Sequence, residues 1–312
     1  MKYLGVDIGG TSVKIGLVTD RGKIIAEDNF SVSFDNYETP IFETVKKSID
    51  EFLNNNDIDS RELSGIGVSA TGQVNTTTGT IVGVGGNIKN WCDTEIKKEL
   101  EEIYKLKTTV INDANSMVVG EQWIGRAEGY KNVIGITIGT GIGGGIIVNS
   151  NILLGNIGIA GELGHFSINS NGKQCTCGNI GCYEQYGSMT ALIKEVKERY
   201  EDIENLSFEK DKVNGKNIFD ELEKGNEKLE IIINNWIENI GKGLVSLTHI
   251  FNPEIIIIGG AVSKQEKLFI DPVRAYVLTH VMKKFGENLR VEAAKLENNA
   301  GLVGAVYYNI NN

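Results

Sequence analysis

Apolar residues in this chain fall into short runs that stop at clusters of glycine. Tyr3, Leu4 and Val6 form a run that ends at Asp7, and Val13, Ile15 and Leu17 resume it by strict alternation. Alternation of this kind predicts strands, and Gly9 and Gly10 between them permit a tight turn. The first seventeen residues therefore read as a hairpin. Val133, Ile134, Ile136 and Ile138 build a second apolar strand, Gly139, Gly141, Gly143, Gly144 and Gly145 surround Thr140, and another apolar strand follows. A third strand, Ile255–Ile258, runs into Gly259 and Gly260. Helical spacing appears at Ile41, Phe42, Val45, Ile49, Phe52 and Leu53. It appears again after the short strand Val110–Ile111, through Met117, Val118 and Trp123. Residues 191–250 are helix-rich with a polar, charged middle at 200–228 that suits a surface, and "NNAGLVGAVYYNI" at 298–310 reads as a last helix. Two strand–glycine turn–strand units, one in each half, suggest two similar α/β domains clamping a nucleotide.

The chemistry open to these turns is limited by their context. The first fails the test for a dinucleotide fingerprint, because a strand rather than a helix follows it, and no GxxxxGK is present. It can still offer backbone N–H groups, the Thr11 hydroxyl and the Lys14 ammonium to phosphates, with Asp7 as a direct or water-mediated ligand of Mg2+. Taken one at a time, each glycine group could be a turn and nothing more. Asn112 and Asp113 stand where an apolar strand gives way to a helix. Asp113 could cap that helix or serve as a general base, ionised at neutral pH because an unperturbed Asp titrates near about 3.9.

Composition narrows the class. A length of 312 residues suits about two domains, and 41% apolar residues suffice for sizeable cores. The net charge of -10, from 31 basic and 41 acidic residues, argues against broad nucleic-acid or membrane contact. A phosphorylated ligand remains open, since backbone N–H groups and a metal bind phosphate locally. No apolar run is long enough to span a bilayer, and the opening residues reach Asp7 too soon for a signal peptide. A cytoplasmic protein without a disulfide framework is expected.

Against that background, three of the four cysteines and one of the three histidines gather between His165 and Cys182. His165, Cys175, Cys177 and Cys182 make a complete tetrahedral zinc set with no position left for water, so such a zinc would be structural. Free thiols or a redox pair are the alternatives. Gly178 and Gly181 suit tight bends between ligands. Cys92, alone beside Trp91, reads as a small buried hydrophobe. A ligated histidine keeps a second ring nitrogen for another partner. Zinc could thus fold this loop so that Glu162, His165 and Glu184 face a polyhydroxylated ligand. Alternatively, both glutamates are solvated loop carboxylates.

In combination, these segments resemble the ROK family of sugar kinases and repressors. The matching stretches are "DIGGTSVK" 7–14, "NDAN" 112–115, "IGTGIGGG" 138–145, "AGELGH" 160–165 and "CTCGNIGCYE" 175–184, with "IIIIGGAVS" 255–263 further on. The resemblance implies an actin/hexokinase-like (ribonuclease H-like) fold of two α/β domains and an inter-domain cleft. The first domain would span 1–116, rejoined by the C-terminal helix 300–312, and the second 117–299. It further implies that Asp7, Gly9, Gly10, Thr11, Lys14, Thr140, Gly141, Gly143, Gly259 and Gly260 serve ATP and Mg2+. Asp113 would be the catalytic base, Asn112, Glu162, His165 and Glu184 would contact sugar, and His165, Cys175, Cys177 and Cys182 would hold zinc.

Glucokinases of the family usually carry a proline before a glycine where this chain has Thr71 and Gly72. Their Asn-Leu-x-x-Trp outline survives in Asn87 and Trp91, which places Gly72 and Asn87 at the substrate. Family repressors carry a helix-turn-helix module first, whereas here the first hairpin begins at residue 3, so a kinase is expected. The implied reaction moves the γ-phosphoryl of Mg-ATP to the 6-hydroxyl of a hexose, glucose before the alternatives. Those are an N-acetylhexosamine (N-acetylmannosamine or N-acetylglucosamine) or a β-glucoside. A non-catalytic sugar-binding protein would leave Asp113 and both loops without a role, and a zinc-stabilised interaction domain would not explain the paired hairpins. A homodimer or homotetramer without nucleic-acid or membrane partners is expected.

Overall fold

A computed structural model describes residues 1–33, 35–84 and 88–312. The chain opens with β1 (Lys2–Ile8), β2 (Ser12–Thr19), β3 (Ile24–Ser31) and α1 (Ile41–Asn55). Next come β4 (Ile66–Ala70), β5 (Gln73–Asn75), β6 (Thr80–Gly83), α2 (Ile96–Tyr104), β7 (Thr108–Asn112) and α3 (Asp113–Ile124). The second half lays down β8 (Val133–Ile138), β9 (Ile142–Val148) and β10 (Asn151–Ile152). Helices α4 (Glu184–Gly187), α5 (Met189–Glu198), α6 (Gly215–Glu223) and α7 (Glu227–Phe251) follow. The chain closes with β11 (Ile255–Gly259), α8 (Asp271–His280), α9 (Lys283–Gly286), β12 (Arg290–Ala293) and α10 (Ala300–Asn311). Among the described residues no helix is long and apolar enough to cross a membrane.

The first sheet has the order β3-β2-β1-β4-β7. β1 and β2 form the expected antiparallel hairpin, with Asp7 opposite Lys14. β4 lies parallel on the other side of β1 and sets Ser69 beside Asp7. β7, parallel to β4, sets Asn112 beside Ala70. The second sheet has the order β10-β9-β8-β11-β12, and its parallel pair β8 and β11 brings Thr137 beside Gly259. In both sheets, three successive strands are followed by two that return parallel after a helical excursion.

The chain divides into two units. One comprises residues 1–131, 145–161 and 295–312, and the other residues 132–144 and 162–294. The first unit is therefore completed by the last helix. Leu302, Val303, Ala305 and Val306 of α10 are buried, so this helix is apolar on nearly every side, as a fully enclosed helix must be. It lies close on the sheet because the strands offer glycine beneath it. A Cβ at Gly67 would strike the Ala305 backbone, and one at Gly5 would lie 2.9 Å from Leu302. The buried Asn309 amide donates to Ile66 O at 3.0 Å and Lys107 O at 3.3 Å, fastening α10 to the starts of β4 and β7.

Glu121 of α3 is fully buried. Its Oε1 accepts the N–H groups of Lys295 at 2.8 Å and Leu296 at 2.6 Å, while Oε2 accepts that of Arg126 at 2.6 Å. A buried carboxylate is tolerable when backbone donors of this kind replace water. Here they tie the end of α3 to the segment that leads into α10.

Candidate active site

In the first unit the sheet register assembles a polar row at the strand ends. The Ser69 hydroxyl donates to Asp7 Oδ1 at 2.6 Å. Burial raises the Asp7 carboxyl above the ordinary carboxylate range, against the lowering pull of the Ser69 hydrogen bond and the Lys14 charge. Gly301, in the first turn of α10, adjoins the same carboxylate, and a Cβ there would lie 2.7 Å from both oxygens. The Lys14 ammonium reaches Asn298 O at 3.0 Å and Asn299 Oδ1 at 2.6 Å. It is thus held beside the start of α10. Thr11 is exposed at the tip of the first turn. Gly9 N–H closes the turn on Ser12 O at 2.9 Å, and the Tyr37 hydroxyl holds Gly10 O at 2.8 Å.

Asn112 ends β7 and caps α3. Its Oδ1 accepts the N–H groups of Ala114 at 3.0 Å and Asn115 at 3.2 Å. Asp113 is therefore the first residue of the helix, and the cap reading offered for it belongs to Asn112. The Asn112 Nδ2 donates to Asp113 Oδ1 at 2.9 Å and to Gly72 O at 3.0 Å. A helix N-terminus stabilises a carboxylate through its unpaired N–H groups and dipole, and Ala114 N–H meets Asp113 Oδ1 at 2.8 Å. Gly72 has φ 96°, in the region that favours glycine, and the Trp91 indole donates to the neighbouring Thr71 O at 2.8 Å. Asn87 lies outside the described residues. Cys92 corrects its expectation. Trp91 is fully buried, but Cys92 is exposed, because the chain turns at Asn90 and Asp93, both at positive φ. The indole points inward and its neighbour outward.

In the second unit Thr140 is exposed at the tip of the β8–β9 turn, and Gly143 lies partly open just beyond it. Gly139 N–H closes this turn on Gly141 O at 3.0 Å. Gly260, at φ 96°, packs where a Cβ would strike Ile138 O, so the Gly259–Gly260 pair sits beside the end of β8. Glu162 is exposed, and its carbonyl accepts His165 N–H at 3.1 Å. The Glu184 Oε2 accepts Ile142 N–H at 3.0 Å.

The four expected metal ligands do converge. One donor atom from each of His165, Cys175, Cys177 and Cys182 lies within 4.8 Å of every other. Cys175 Sγ is 3.7 Å from His165 Nδ1, and Cys177 Sγ is 3.5 Å from Cys182 Sγ. Zinc bonds of about 2.0–2.3 Å in a tetrahedron separate donor atoms by roughly 3.3–3.8 Å, so the set fits that ion. Burial opposes the Cys175 thiolate, yet hydrogen bonds from Cys177 and His165 hold it down at about 6. Burial and the hydrogen bonds with Cys177 and Cys175 push Cys182 up to about 12. A divalent cation would relieve this crowding of thiolates. Tyr183 anchors the loop from below: it is fully buried, and its hydroxyl donates to Ile240 O of α7 at 2.7 Å.

Sequence reasoning missed Ser69, Gly301 and Glu121. Only Glu121 carried a local signal, a charge inside the apolar run "SMVVGEQWIG".

A model of the ROK family matches residues 3–311. A glucokinase of Thermotoga maritima is 32% identical over 310 residues, covering 98% of this chain and 96% of that protein. A ROK-family glucokinase of Streptomyces griseus, solved with glucose and AMPPNP, is 30% identical with a TM-score of 0.86 and covers 100% of both chains. A candidate N-acetylmannosamine kinase of Listeria monocytogenes is 29% identical with a TM-score of 0.83, covering 100% of this chain and 99% of that one.

Proposed function

The chain belongs to the ROK family, and on that premise we propose that it is a sugar kinase transferring the γ-phosphoryl group of Mg-ATP to the 6-hydroxyl of glucose. The observation that carries this reading is Asp113, a carboxylate at the head of α3 held by the Asn112 amide. A sugar hydroxyl is a weak acid, and Asp113 accepts its proton as the oxygen attacks phosphorus. Asn112 orients that carboxylate and fixes Gly72 in the same step. Phosphoryl transfer depends mainly on positioning and charge stabilisation. The N–H groups and hydroxyls of the two turns, with Thr11 and Thr140 at their tips, bind phosphate oxygens. Asp7 is the residue that would hold Mg2+, which would supply positive charge to the phosphates. Lys14 and Ser69 keep Asp7 in place. Glu162, His165 and Glu184 bind the ring hydroxyls. His165 can do so through Nε2 while Nδ1 faces the cysteines, and zinc held by the four-residue set would stabilise that loop.

Glucose is preferred because glucokinases are among the relatives that match over nearly their whole length. The second reading, an N-acetylhexosamine kinase, is favoured by the Listeria protein. ADP release over a panel of glucose, mannose, N-acetylmannosamine, N-acetylglucosamine and a β-glucoside decides between them. The expected outcome is the highest kcat/KM on glucose. A preference of about 100-fold or more for N-acetylmannosamine, some 2.7 kcal/mol of transition-state discrimination, replaces the first reading by the second. No turnover on any sugar removes both.

A further inference from the structure

Glu184 stands where two glycine-rich motifs of the second unit meet. Its backbone N–H donates to Gly164 O at 2.9 Å, within "AGELGH". Its Oε2 accepts Ile142 N–H at 3.0 Å, at the end of the turn in "IGTGIGGG". Among the described residues no other hydrogen bond reaches this carboxylate. The junction is tight, and both glycines are required by it. A Cβ at Gly141 would strike Glu184 Oε2, and one at Gly164 would strike Ile142 O. A second tie runs alongside, from Met189 N–H to Gly139 O at 3.0 Å. Position 184 rests on a firm base, with Cys182 in the donor cluster and Tyr183 N–H on Phe166 O at 2.9 Å.

We propose that Glu184 is a positioning residue for the β8–β9 turn as well as a sugar contact, so that one carboxylate couples sugar binding to nucleotide binding. The proposal rests on the kinase reading above. One oxygen holds the turn while the other accepts from a sugar hydroxyl. A sugar that orders this side chain also orders the N–H groups offered to phosphate. The second ligand then meets less disorder, which is positive coupling by shared ordering. Coupling is reciprocal, and about 5-fold or more is the usual scale.

The test is calorimetric titration of zinc-loaded protein with Mg-AMPPNP, with and without saturating glucose. Wild type is expected to bind the nucleotide about 5-fold or more tightly with glucose present. Glu184→Gln retains an oxygen for Ile142 N–H. Its nucleotide affinity without glucose should stay within about 2-fold of wild type, while glucose affinity falls. Glu184→Ala leaves that N–H without its charged acceptor, worth about 10-fold in nucleotide affinity without glucose, and glucose no longer tightens binding.

Should Glu184→Ala fail to fold or lose zinc, Gly141→Ala displaces Oε2 from the turn with residue 184 intact. With glucose at a saturating level for that variant, its coupling should vanish. A Glu184→Ala protein that binds AMPPNP without glucose as wild type does overturns the proposal, as does a Gly141→Ala protein that keeps full coupling. Wild type that binds nucleotide and turns over sugar without any coupling also overturns it and leaves the kinase reading standing. Wild type that binds no nucleotide sinks both.

Discussion

Asp113 owes its candidacy to one neighbour. Asn112 caps α3 with its Oδ1 and grips Asp113 Oδ1 with its Nδ2, so the residue before the candidate base sets the direction of its carboxylate. Asp113→Ala should lower turnover by about 10²–10⁴-fold, with glucose and nucleotide affinities from calorimetry close to wild type. Near-normal turnover in the folded variant would assign Asp113 to the helix start alone. Both residues were legible in the sequence, because an apolar strand yielding to a helix puts polar side chains at a sheet edge. Asp7 was legible for the same reason. Its partners were not, since Ser69 reaches it only through the parallel register of β1 and β4, and Gly301 only through the return of α10. Gly301→Ala tests that contact, because its methyl would press on both oxygens of Asp7. Expected are weaker Mg-nucleotide binding by calorimetry and unchanged glucose binding. Unaltered nucleotide affinity would detach Asp7 from the metal–phosphate role.

At the scale of elements, the hairpins and α3 follow their hydrophobic periods closely. Local pattern failed where the chain bends on a buried anchor, as at Trp91, which turns inward and leaves Cys92 in solvent. The cysteine loop was legible because its ligands are close in sequence and their chemistry is narrow. Cys177→Ser should reduce bound zinc well below one per chain by elemental analysis, and wild type should hold zinc less firmly as pH falls, since ligating thiols must lose their protons. Fully active wild-type protein purified without chelator and lacking zinc would refute the site. The Glu184 junction adds that losing zinc should disturb the β8–β9 turn as well as the residues proposed to bind sugar. Glu121 is a staple of a different kind. Glu121→Ala strands the N–H groups of Arg126, Lys295 and Leu296 inside the first unit. The expected loss is about 3 kcal/mol or more in urea unfolding, with Glu121→Gln milder. A Glu121→Ala protein as stable as wild type in urea would show that these three hydrogen bonds do not hold the unit together.

On the scale of the whole chain, repetition of a strand–glycine turn–strand motif made two related halves readable. It does not say which stretches make up each unit: the resemblance implied the return of the last helix, whereas nothing local marks residues 145–161 as part of the first unit. The first unit lacks part of its core until residues 295–312 arrive. α10 covers Gly5, Gly16 and Gly67, positions with no side chain of their own to shield the sheet. Without this segment, the buried surface of Leu302, Val303, Ala305 and Val306 is lost, Glu121 loses the N–H groups of Lys295 and Leu296, and Ile66 O and Lys107 O lose the Asn309 amide. A chain ending at Ala294 should therefore lose the cooperative unfolding transition of the first unit, followed by Trp123 fluorescence and by amide exchange in β1 and β4. Leu302→Ala is the graded version of the same experiment. Its side chain is fully buried against Gly5 and Gly16, and its truncation should cost about 2–5 kcal/mol, depending on how far the site collapses. A truncated chain whose β1 and β4 amides stay as protected as in the full chain would mean that the first unit stands without its last helix.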